Sequence, residues 1–178
     1  MRRANLRSPT IIVVMGVSGC GKTTVGSRLA KVCGWKFFDA DEFHPAENIA
    51  KMSAGDALAD ADREPWLARL NQLGSGCARD GESAVMACSA LKQAYRERLA
   101  QGIASIRFVY LRGDFAVINA RMLARKDHYM KAGMLESQFA ALEEPEDAVI
   151  ADIVQAPDVI VARICAALNL FPGGIQRN

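Results

Sequence analysis

The chain lacks an excess of either charge. It has 22 Lys and Arg against 20 Asp and Glu, a net charge of +2. So even a balance leaves no polybasic footprint for nucleic acid and no basic membrane anchor. Long apolar runs are also missing. Near the N-terminus the longest is Ile11 to Met15, too short for a membrane span or the core of a signal peptide. The five cysteines, Cys20, Cys33, Cys77, Cys88 and Cys165, include no Cys-x-x-Cys pair. Neither a zinc pattern nor a secreted disulfide framework fits, and free thiols in a reducing cytoplasm are expected. No internal repeat or low-complexity linker divides the 178 residues, so one domain is expected. Residues 1–9, which begin with the basic stretch MRRANLR, are read as a disordered tail, with a short targeting arm as the other reading. Residues 10–170 are the domain. Residues 171–178 are a second tail, carrying Pro172-Gly173-Gly174.

What is present is an alternation of strand and helix patterns. Strands are expected at Thr10 to Met15, Lys36 to Phe38, Ala84 to Cys88, Ile106 to Leu111 and Ala148 to Ile153. Helices are expected at Lys22 to Cys33, Pro45 to Met52, Asp62 to Cys77, Lys92 to Gln101, Asp114 to about Arg125, around Leu135 to Leu142, and Asp158 to Leu168. Ser53-Ala54-Gly55 should break the second helix, and Asp114 should cap the fifth. Five strands joined through helices predict a parallel α/β sheet covered on both faces.

The first strand runs into Gly16-Val17-Ser18-Gly19-Cys20-Gly21-Lys22-Thr23, which satisfies G-x-x-x-x-G-K-[ST]. Glycines let main-chain N–H groups turn inward around a phosphate, and the following helix adds its positive end. Gly16, Val17, Ser18, Gly19, Cys20, Gly21, Lys22, Thr23 and Thr24 are therefore candidates to bind ATP. Lys22 would reach the β- and γ-phosphates, and the Thr23 hydroxyl would meet Mg²⁺.

A P-loop alone does not separate kinases from other nucleotide hydrolases. There is no Asn-Lys-x-Asp, and no apolar run is read as ending in a Walker-B acid. Instead the second strand ends in Asp39-Ala40-Asp41, where ligands of open α/β sheets sit. Asp41 is the candidate general base, and Asp39 a candidate to hold Mg²⁺ through water. The bland reading is that the pair caps the next helix.

Several segments then resemble the gluconokinase family of small P-loop kinases. They are Asp39-Ala40-Asp41-Glu42-Phe43-His44-Pro45, Asp60-Ala61-Asp62-Arg63-Glu64-Pro65-Trp66-Leu67, Cys88-Ser89-Ala90-Leu91-Lys92 with Tyr95-Arg96, Arg125-Lys126-Asp127-His128, Gln138-Phe139 and Leu142-Glu143. The resemblance spans about Thr10 to Leu168. It implies phosphoryl transfer from ATP to D-gluconate, giving 6-phosphogluconate and ADP. It also implies a three-layer P-loop kinase fold like that of nucleoside monophosphate kinases, with a short helical lid, and a homodimer. Two departures stand out. Gly55-Asp56-Ala57-Leu58 replaces the family's Gly-x-Pro-Leu, and His128 follows Asp127 where glycine is common.

An acid-sugar substrate needs cations for its carboxylate and hydrogen-bonding groups for its hydroxyls. Arg63, Lys92 and Arg96 are the candidate cations, with surface salt bridges as the alternative reading for each. His44 is expected either on substrate or against Pro45, Ser89 either on substrate or capping the helix near Lys92, and Trp66 in the core rather than as a platform. The lid, about 121–133, offers Arg125 first and Arg121 second as the cation over the γ-phosphoryl group. The rivals are a shikimate-kinase-like or other small-molecule kinase, and a non-catalytic protein controlled by its nucleotide.

Overall fold

A computed structural model describes residues 8–124 and 132–170. Arg125, Lys126, Asp127, His128, Lys131 and both expected tails up to Arg7 and from Phe171 lie outside them. Five parallel strands form one sheet in the order β2-β3-β1-β4-β5. They are β1 (Ile11–Met15), β2 (Lys36–Asp39), β3 (Ala84–Ala87), β4 (Ile106–Arg112) and β5 (Ala148–Asp152). Between them run α1 (Lys22–Cys33), α2 (Ala46–Ala54), α3 (Asp60–Arg79), α4 (Gln93–Ala100), α5 (Phe115–Leu123), α6 (Ala132–Ala141) and α7 (Pro157–Ala167).

The central strand β1 is apolar at every position because both of its faces are covered. Successive side chains alternate between two cores. Ile12 and Val14 join Val85, Val109 and Leu111 under α1 and α7, with Ile118 of α5 and Leu135 of α6. Val13 and Met15 join Met86 and Tyr110 against Trp66, Leu67 and Leu70 of α3 and Tyr95 and Leu99 of α4. The result is three layers, as expected.

Element ends differ from expectation where capping wins over periodicity. α3 starts at Asp60 rather than Asp62, because the Asp62 carboxylate accepts from the Ala59 N–H (2.8 Å) and so satisfies the helix start. α2 continues through Ser53 and Ala54 and stops only at Gly55, whose left-handed φ of 85° closes the last turn. Asp114 occupies the cap position of α5, but its side chain makes no cap bond, contrary to the capping expected of it. α5 ends at Leu123, and α6 already includes Ala132 and Gly133, so helix enters the expected lid range from both ends.

Leu70 is fully buried between α3 and the sheet. Leu70→Ala should destabilise the protein by about 2–5 kcal/mol. A lowered denaturant midpoint at unchanged m-value would record it.

Candidate active site

The loop between β1 and α1 lies beside the end of β3. The Gly16 N–H donates to the Ser89 carbonyl (3.3 Å), and the Cys88 N–H to Val14 (3.1 Å). Gly16 has φ 142°, and a Cβ there would stand 2.8 Å from Cys20 Sγ and 2.9 Å from the Leu111 carbonyl oxygen. At Gly19, φ is 81° and a Cβ would meet Met122 of α5 at 2.7 Å. Glycine is required at both positions, for backbone conformation and for close packing alike. Val17 and Cys20 bury their side chains in the core and leave only main chain to a ligand. The Gly19 and Gly21 N–H groups have no partner among the described residues. With the start of α1 directly behind them, they make a fitting cradle for phosphate.

Lys22 arches back over this loop, donating from Nζ to the Val17 carbonyl (3.0 Å). Thr23 Oγ1 donates to Asp39 Oδ2 (2.7 Å). Asp39 Oδ1 accepts from the Asp41 N–H (3.2 Å), which caps the 3-10 turn Ala40–Phe43. The capping reading of Asp39 holds. It caps the turn, and it also brings a carboxylate to the P-loop hydroxyl. These two oxygens suit adjacent positions around Mg²⁺, which takes only one or two protein oxygens and completes its octahedron with phosphates and water. Asp41 is exposed at the mouth of this group, and the adjacent Thr24 is exposed on the first turn of α1.

Beyond Asp41 the chain builds a wall. His44 stacks on Trp66 (ring centroids 4.3 Å apart, planes 12° from parallel), and the Trp66 Nε1–H donates to the Ala40 carbonyl (2.8 Å). Trp66 is thus core on one face and a platform for His44 on the other. His44 does not rest on Pro45 alone. Buried Asn48 holds the wall from behind, donating to the Asp62 carbonyl (2.8 Å) and lying 3.4 Å from His44 Nδ1. Burial lowers the His44 pKa and Arg63 lowers it further, against the pull of Asp41.

Next along the wall come Arg63, Tyr95 and Lys92. The two cations lie over the Tyr95 ring, 5.6 and 5.5 Å from its centroid. Lys92 Nζ donates to both Asp60 oxygens at 2.9 Å, and the Tyr95 hydroxyl also donates to Asp60. Arg63 Nη1 is 3.8 Å from Asp60 Oδ1 and donates to the Leu58 carbonyl.

The third candidate cation does not join them. Arg96 is buried, and its guanidinium is committed to the carbonyls of Ala90 (3.0 Å) and Leu91 (3.1 Å) and to Gln93 Oε1. It braces the loop after β3 and faces a cavity lined by Glu97, Phe108 and Glu143. Ser89 presents its carbonyl to Gly16, and the cap position of α4 is Lys92, so Ser89 is not the helix cap. Arg121 of α5 donates to the Ile153 carbonyl beyond β5 (2.7 Å). The expected role of Arg125 falls outside the described residues.

Sequence reasoning assigned no role to Gln138, Tyr95 and Asp60, although each stands inside a segment that carried the resemblance. Gln138 of α6 grips the P-loop at both ends of its amide. Its Oε1 accepts from the Ser18 N–H (2.7 Å), and its Nε2 donates to Ser18 Oγ (3.0 Å). The pair fixes the loop ahead of ligand binding. Gln138→Ala should raise the KM for MgATP about tenfold, from the loss of two hydrogen bonds. Initial rates should show the acceptor KM nearly unchanged.

Comparisons with known proteins agree with this geometry. Residues 18–166 match the family model described as shikimate kinase. The thermoresistant gluconokinase of Escherichia coli K12 is 44% identical over 156 residues, covering 85% of this chain and 89% of that protein. A crystal structure of a sugar kinase from Janibacter sp. HTCC2649 superposes with a TM-score of 0.86 at 41% identity, covering 95% of this chain and 99% of that one. A gluconokinase from Sinorhizobium meliloti 1021 gives 0.79 at 38% identity, covering 92% and 97%. The P-loop, the paired aspartates and the wall of His44, Arg63 and Lys92 thus lie in a chain that belongs to the gluconokinase family, within the broader shikimate-kinase family.

Proposed function

We propose that the protein is a gluconokinase, transferring the γ-phosphoryl group of ATP to the terminal hydroxyl of D-gluconate to give 6-phospho-D-gluconate and ADP. The observation that carries this reading is a connected run of side chains. Asp39 joins the P-loop hydroxyl of Thr23 to the turn that carries Asp41, and His44 feels the charges of both Asp41 and Arg63, which shares the Tyr95 ring with Lys92.

The P-loop amides and Lys22 hold the β- and γ-phosphates. Thr23 and Asp39 would hold Mg²⁺, which would supply positive charge against the phosphates. Arg63 receives the substrate carboxylate: its contacts to Leu58 and Asp60 both use Nη1, which leaves the rest of the guanidinium without a hydrogen bond among the described residues, whereas the Lys92 amine is held by Asp60 and the Arg96 guanidinium by carbonyls and Gln93. Its planar fork suits a carboxylate. Ser89 and His44 offer hydrogen bonds to the sugar-acid hydroxyls, His44 in its neutral form at pH 7. Asp41 accepts the proton of the attacking hydroxyl as its oxygen bonds to the γ-phosphorus and the bond to the β-γ bridging oxygen breaks, releasing ADP. Arg125 is proposed as the cation that stabilises the γ-oxygens, with Arg121 in support; catalysis here is chiefly positioning and charge stabilisation. A cytoplasmic homodimer belongs to the same proposal, supported by the family resemblance. Among the described residues no helix is long and apolar enough to cross a membrane.

ADP release with MgATP should be strong with gluconate and weak with shikimate, other sugar acids and nucleoside monophosphates. A signal confined to shikimate would favour the rival that the family model raises. Asp41→Asn should lower kcat on the order of 10²–10⁴-fold while ATP affinity stays near wild type, measured by steady-state rates and nucleotide titration. Turnover near wild type would remove Asp41 as the base.

A further inference from the structure

We propose that Asp60 sets the charge preference of the acceptor site, holding the group Arg63, Lys92 and Asp60 at one net positive charge, matched to a substrate with a single carboxylate. The inference rests on the acid-sugar reading above and deepens it.

Asp60 is the first residue of α3, where a carboxylate is favoured by the helix end alone. That preference does not account for its partners. Both carboxylate oxygens take Lys92, from the loop after β3, and one also takes the Tyr95 hydroxyl of α4. Arg63, one turn along α3, lies 3.8 Å away. Two hydrogen-bond donors from other segments and one cation of its own helix converge on one carboxylate. The neighbouring carboxylates are engaged elsewhere. Asp62 pairs with Lys51 (2.6 Å) and Glu64 with Arg98 (2.7 Å). Among the described residues, Asp60 is therefore the carboxylate that pairs with both wall cations, while Asp62 acts on Arg63 only from beyond ion-pair distance.

The consequence is electrostatic. Two cations and one anion leave one positive charge for a ligand. A monoanion neutralises it. A dianion adds an unbalanced negative charge close to Asp60. Hydrogen bonds from Tyr95 and Lys92 hold the Asp60 pKa below its ordinary value, so the carboxylate stays charged near neutral pH. Asp60 reaches substrate only through Arg63 and Lys92, which makes it a positioning residue.

The test compares D-gluconate with the analogue in which a phosphonate, dianionic at alkaline pH, replaces the carboxylate and the terminal hydroxyl is kept, so that the second charge falls beside Arg63, Lys92 and Asp60. In wild type, the Ki of the phosphonate against gluconate should exceed the KM of gluconate. Asp60→Asn should lower the ratio of phosphonate Ki to gluconate KM about tenfold at low salt, and less at high KCl, where exposed charges are screened. Lys92→Met should move the same ratio in the opposite direction, and it carries the test if the Asp60 variant does not fold. A merely structural role would change both ligands alike. Gluconate turnover with a ratio that stays within twofold in both variants overturns this inference alone. No gluconate turnover in wild type overturns the acceptor reading, and the inference with it.

Discussion

The hydrogen bond from Thr23 to Asp39 is the contact on which the site depends. It ties the start of α1, just after β1, to the end of β2, although β3 separates β1 from β2 in the sheet. The phosphate cradle comes from one side of that link and the acceptor chemistry from the other. Asp39 also caps the turn that sets out Asp41, so one carboxylate positions both the P-loop hydroxyl and the proposed base. Parallel strands make this possible, since their carboxyl ends all open on the same edge.

The remaining architecture keeps that edge rigid and polar. Trp66 bonds the Ala40 carbonyl directly after Asp39 and carries His44 on its outer face. Tyr95 is buried on the α3/α4 side of the sheet yet turns its hydroxyl to Asp60. Gln138 holds the P-loop from α6. Trp66 and Tyr95 are large side chains with apolar bodies in the core and polar tips spent on the Ala40 carbonyl and on Asp60, which lets packing energy fix the geometry of polar groups.

Much of this was legible in the sequence. The P-loop, the order of elements and the two aspartates follow from motif spacing and from where strands end. The fate of the cations was not legible. Lys92 and Arg96 are one helical turn apart and read alike as charges. Arg96 turns under the Ala90–Leu91 carbonyls while Lys92 faces Asp60, a difference made by loop geometry that no local pattern records. The Gln138–Ser18 contact spans 120 residues and is equally hidden from spacing. Helix starts shifted where a side-chain cap such as Asp62 outranked the apolar period.

The central claim is directional: the carboxylate of the substrate lies at Arg63 and its far hydroxyl at Asp41 and the P-loop. Proton-coupled phosphorus NMR of the product formed from MgATP and gluconate tests it directly. Transfer to the terminal CH₂OH gives a phosphorus triplet, and the account predicts that signal alone. A doublet, marking a phosphate on a secondary hydroxyl, would mean that the substrate does not lie in the cleft in this direction, and would contradict it.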